Sequence, residues 1–198
     1  FTTLTVSAAG NTVNYNGAAQ TVKATAYYNL IFSGTLAKTM ATSTSVSGNL
    51  TIAPTGSATA SVGNGLSLNV GTLTLGVLGR INDTWGSTSV SCPANRKNST
   101  YFGTTATGVL NVSTDTRTAS TINTLPGAGA ITYGQTLASS ALTGGSGTPS
   151  GGTFTWTSPS TVPNAGTPSE SVTYTPTPTD LTAYTPASGS VNVTVNAA

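Results

Sequence analysis

The chain has 198 residues, of which 36% are hydrophobic and only 5% charged, with no histidine, one cysteine and a formal net charge of +2. An ordinary soluble domain carries about 25% charged residues, so Thr, Ser, Asn and Gly must cover most of the surface here. These values argue against Ser-His catalysis, most zinc sites and an internal disulfide framework, and Arg96-Lys97, the one basic pair, is too little for a nucleic-acid footprint.

Thr is β-branched and favours strands, while Gly and Asn favour turns. The expected class is therefore all-β. No run of 18 apolar residues exists, so no transmembrane segment is expected. The chain opens at Phe1 without Met or a signal-like stretch, as expected of a mature, processed or excised polypeptide.

Residues 1–9 are predicted as a strand with Leu4 and Val6 on one face. Val13, Tyr15 and Gln20–Val22 continue in β style, with Asn16-Gly17 as a turn signal. An Asn followed by an aliphatic residue then returns every 20 residues, at Asn29-Leu30, Asn49-Leu50 and Asn69-Val70. The strands between hold about two large residues each, too few for isolated hairpins. Stacking successive coils would give each strand neighbours and a shared interior. A competing alignment at an offset of 16, residues 44–50 against 60–66, leaves the coil length open, with an irregular β arrangement as the alternative.

Residues 82–85 echo 98–101, flanking the polar loop Cys92–Lys97. Trp85, Tyr101 and Phe102 are candidates for an aromatic surface that takes sugars, or for a cap over the last interior layer. Beyond Thr114 the pattern changes to short one-sided strands, Phe154/Trp156, Val172/Tyr174 and Val191/Val193/Val195, separated by Gly and Pro. That is the pattern of a small β-sandwich. The expected division is residues 1–113, β-solenoid-like or irregular β, followed by 119–198, an Ig-like β-sandwich.

The segments Ile131–Leu137, Gly152–Trp156, Pro163–Thr167, Val172–Pro176 and Val191–Val195 resemble the Ig-like repeat modules of bacterial secreted and surface adhesins, including MBG-type domains. Val13–Val22, Tyr28–Leu30 and Gly48–Ile52 are similar to filamentous-haemagglutinin-like β-helical repeats of such proteins. The resemblance implies a bacterial, secreted or cell-surface location and a structural or adhesive role.

Asp83, Asp115, Glu170 and Asp180 are far apart in sequence, so no catalytic residue, metal ligand or cofactor site is assigned and no enzymatic activity is expected. Sequons stand at Asn49, Asn82, Asn98, Asn111 and Asn192. Low charge weakens repulsion between copies. The expected function is a self-associating structural subunit, a homo-oligomer or polymer forming an extracellular filament or surface fibre. Its contacts are expected at the terminal strands, through Phe1, Leu4 and Val6 or through Val191, Val193 and Val195, or by end-to-end stacking of domains. The alternative is an adhesin segment that binds a glycan or a host surface.

Overall fold

Thr and Ser alternating with aliphatic residues form strands in both halves of the chain, and among the described residues helix is confined to two single-turn 3-10 segments, Leu137–Ser139 and Asp180–Thr182. The computed structural model describes residues 6–198. The protein is all-β and divides into two compact units, Phe1–Arg117 and Thr118–Ala198.

In the first unit the strands are β1 (Thr12–Tyr15), β2 (Gln20–Thr21), β3 (Ala26–Tyr27), β4 (Asn29–Gly34), β5 (Ala37–Met40) and β6 (Ser45–Gly56). They are followed by β7 (Thr59–Val62), β8 (Ser67–Leu75), β9 (Leu78–Gly79), β10 (Thr84–Gly86), β11 (Arg96–Lys97) and β12 (Val109–Val112). One sheet runs in the order β1-β4-β6-β8-β12-β10-β11, with β3 also on β6 and β9 on β8. A second runs β2-β5-β7. The chain passes from the first sheet to the second and back, so β1, β4, β6, β8 and β12 pair in parallel, as do β2, β5 and β7.

The register corrects the expected 20-residue return. Leu30 lies opposite Leu50, 20 residues on, but Leu50 lies opposite Leu73, not Val70. Val70 faces Val46, and Asn49 faces Thr72. The longer step has two sources: β6 carries two residues more than β4 between Ile52 and Gly56, opposite Phe32 and Gly34, and the return from β7 to β8 adds one more. A further irregularity between Val46 and Asn49, where β6 carries one residue more than β8, shifts the register within that pairing. The offset of 16 matches no pairing, because Ala60 lies in the second sheet opposite Lys38. The next return is long: Leu68-Asn69-Val70 pairs with Leu110-Asn111-Val112, and the inserted segment includes β9, β10 and β11.

Hydrophobic burial explains why this register wins. Leu30, Phe32, Leu50, Ile52, Leu73 and Leu75 alternate inward and are fully enclosed with Met40, Ala60 and Val62 from the second sheet. Burying each large side chain is worth about 1.5–3 kcal/mol, and a one-residue slip would turn the whole set outward.

The second unit contains β13 (Thr118–Ala119), β14 (Thr121–Thr124), β15 (Gly127–Ala128), β16 (Ile131–Thr132), β17 (Leu142–Thr143) and β18 (Ser146–Thr148). After these come β19 (Thr153–Trp156), β20 (Ser169–Thr175), β21 (Tyr184–Thr185), β22 (Ala187–Asn192) and β23 (Val195–Asn196). The strands β19-β20-β22 form an antiparallel sheet, and the others pair as β14-β18, β15-β17, β13-β21 and β16-β23. Ile131, Leu137, Trp156, Val172, Val191, Val193 and Val195 make its core. Trp156 satisfies its indole N–H by donating to the Ser140 carbonyl at 2.8 Å, as a buried Trp requires.

Candidate functional site

Of the residues expected to carry assembly, the four that the structure describes, Val6, Val191, Val193 and Val195, have their side chains in the cores of their own units. Phe1 and Leu4 lie outside the described residues. Val6 is buried in the first core, and its carbonyl accepts from the Tyr28 N–H at 2.9 Å. Residues 6–9 form no strand. Val191, Val193 and Val195 are buried in the second core. Val195 is also paired on both sides, with Ile131 and with Gly166. The exposed-edge expectation for residues 190–195 is corrected accordingly: apolar side chains that fill a core are not available to a partner, and only the outer backbone of β22 lies at a sheet margin.

The aromatic-surface expectation is corrected as well. Trp85 and Phe102 are 2% and 1% exposed, and only Tyr101 is partly open. Trp85 pairs with Leu110, its indole N–H donates to the Ile81 carbonyl at 3.1 Å, and the Arg80 guanidinium stands 6.0 Å from its ring. Phe102 bridges to Ala60 as a further parallel neighbour of the second sheet. The two rings complete the core.

Asp83 and Asp115 in the first unit, and Asp180 in the second, are each engaged by nearby side chains. Asp83 accepts from Thr84 N–H, Asn95 Nδ2 and Arg96 Nε at 2.8–2.9 Å. Burial pushes its pKa up, but these bonds and the Arg96 charge outweigh burial and hold the carboxyl below its ordinary range. Asp115 is held low chiefly by its hydrogen bonds from Arg117. Among the described residues no three His, Cys, Asp or Glu side chains gather into a metal-holding group. Cys92 is a buried free thiol.

Two features escaped the sequence reading. The first is Lys38, which is completely buried. It occupies an inward position of β5, where alternation calls for an apolar side chain. Its ammonium donates to the carbonyls of Gly17, Ala18 and Thr35 at 2.8, 2.6 and 2.8 Å. All three protons are thereby used, which is the condition for burying a charge. Burial pulls its pKa below the ordinary lysine range. In the same unit, Tyr15 and Tyr27 share a hydroxyl contact of 2.9 Å, and Tyr27 donates to the Lys23 carbonyl. Burial first, then Tyr15, raises the Tyr27 phenol above its ordinary range.

The second is an outward ladder across β6, β8 and β12. Ser45, Asn69 and Asn111 form one row and Ser47, Gly71 and Ser113 another, lining a concavity of about 380 Å³. The valines between the rows, Val46, Val70 and Val112, are buried in the core. The rows exist because Val46 aligns with Val70 and Val70 with Val112. The repeated Leu-Asn-Val at 68–70 and 110–112 was the signal for one of these pairings. Asn49, by contrast, uses its amide within the sheet: Nδ2 donates to Thr51, and Oδ1 accepts from Thr72 and Thr74.

No family model matches this chain, and neither the curated proteins nor the solved structures yield a significant match.

Proposed function

We propose that this chain is a structural subunit of a bacterial extracellular filament or cell-surface fibre, built from a β-solenoid-like first unit and an Ig-like β-sandwich second unit. The observation that carries this reading is the parallel stack in which Val13, Leu30, Leu50 and Leu73 lie opposite one another. Such a stack extends one coil at a time, each coil covering the last. At the margins of this sheet β1 and β11 have no further strand partner among the described residues, and a second copy can pair there.

Self-association proceeds through strand edges or end-to-end stacking of units. The Thr-, Ser- and Asn-rich surface, with charged residues at 5%, opposes close approach of copies only weakly, and it suits an extracellular location. The role is non-enzymatic and requires no cofactor. Electron microscopy of the native material, at the concentration and pH of its source, tests this. Fibres with a regular axial repeat are expected; a uniformly monomeric protein under those conditions overturns the proposal.

A further inference from the structure

The outward ladder of the first unit has a chemistry that assembly does not use. Asn111 Nδ2 donates to Ser67 Oγ at 2.8 Å and to Asn69 Oδ1 at 3.1 Å. Both protons of one amide and the oxygen of the other are engaged. The remaining halves, Nδ2 of Asn69 and Oδ1 of Asn111, have no hydrogen-bond partner among the described residues. Asn69 is exposed and Asn111 half-buried, and both line the concavity. A donor and an acceptor are thus fixed side by side by the bond between their own amides, with the orientation set before any ligand arrives.

The lining contains no charged residue. An ionic ligand would lose hydration there without gaining a counter-charge, and a purely apolar one would leave the free amide groups unsatisfied. A ligand with adjacent hydroxyls fits both: one hydroxyl donates to Asn111 Oδ1 while its neighbour accepts from Asn69 Nδ2. The rows repeat from strand to strand at about 4.8 Å, close to the length of one pyranose unit in an extended chain. At one end the half-buried Tyr28 ring packs on Gly48, next to Ser47.

We propose that the concavity over Ser45–Ser47, Asn69–Gly71 and Asn111–Ser113 binds a neutral polysaccharide, with the Asn69–Asn111 amide pair gripping a vicinal diol. The site does not depend on whether the protein polymerises.

The test is calorimetric titration of the full chain with neutral hexasaccharides of glucose, N-acetylglucosamine and mannose, with hexagalacturonate as the anionic counterpart. At least one neutral sugar should bind with Kd below about 1 mM, and hexagalacturonate should not. N69A should weaken binding about tenfold, as expected for one lost hydrogen bond. S47L, at an exposed position, should abolish it by filling the concavity. T88A, on an exposed loop outside the lining, should leave it unchanged. Circular dichroism establishes that each variant is folded, and N69S replaces N69A if that variant is not. Absence of binding to every neutral sugar, equal binding of hexagalacturonate, or binding indifferent to both N69A and S47L would overturn the proposal.

Discussion

Gly34 and Gly56 lie opposite each other in register, and a Cβ on Gly56 would stand 2.2 Å from the Gly34 carbonyl oxygen. Both have positive φ, +75° and +83°. Glycine is required twice over at this corner, for conformation and for space. Gly65 has φ +71° but open surroundings. G65A should therefore cost about 1–2 kcal/mol, the conformational penalty alone, and G56A about 2–5 kcal/mol once backbone crowding is added. Urea denaturation of the two variants measures the difference; equal costs would show that the corner is not tightly stacked.

Leu50 and Leu73 are enclosed neighbours in the stack. L50A and L73A should each destabilise by about 2–5 kcal/mol. V77A and V90A, at residues 83% and 97% exposed, should change stability by no more than about 0.5 kcal/mol. Thermal melts compare all four.

Lys38 should resist acylation in the native protein while the exposed Lys23 and Lys97 react, a contrast read by mass spectrometry after brief treatment with an amine-reactive ester. K38M leaves three carbonyls without their donor and should destabilise by about 1–3 kcal/mol at neutral pH. The folded state holds the Lys38 proton less tightly than the unfolded state, so between the lowered folded pKa and the ordinary value the unfolded chain binds more protons. Stability from this group therefore rises with pH in that window. The wild type minus K38M difference should grow as pH climbs toward the ordinary lysine pKa; a flat difference would show that burial does not perturb the amine.

Asp83 acts in the opposite part of the pH scale. Its folded pKa is depressed, so its contribution is complete above the unfolded value of about 3.9 and is lost as pH falls through the folded one. D83N should be less stable than wild type at pH 7, and the gap should close in acid. Denaturation midpoints between neutral pH and strong acid follow the closure.

Much of the first unit is written locally. The alternation of Leu30 with Phe32 and of Leu50 with Ile52 assigns inward faces, and the 20-residue step between them matches an observed pairing. The same reasoning fails at Asn69-Val70, because β6 takes two extra residues between Ile52 and Gly56 and the return to β8 takes one more, so that Leu50 meets Leu73. A bulge leaves no mark in the periodicity on either side of it. The amide pair of the candidate site rests on the separate register of β8 with β12: Asn69 and Asn111 are 42 residues apart, and only the repeated Leu-Asn-Val hinted that they meet.

The sequence by itself determined the all-β class and the scarcity of charge, since these follow from β-branching and composition. The tertiary structure alone decided which strand lies on which and that Trp85 and Phe102 face inward. It also decided that Lys38 finds three carbonyls and that two distant amides share one outer face. Those outcomes follow from long-range register, which loop lengths and strand irregularities set and local periodicity does not record.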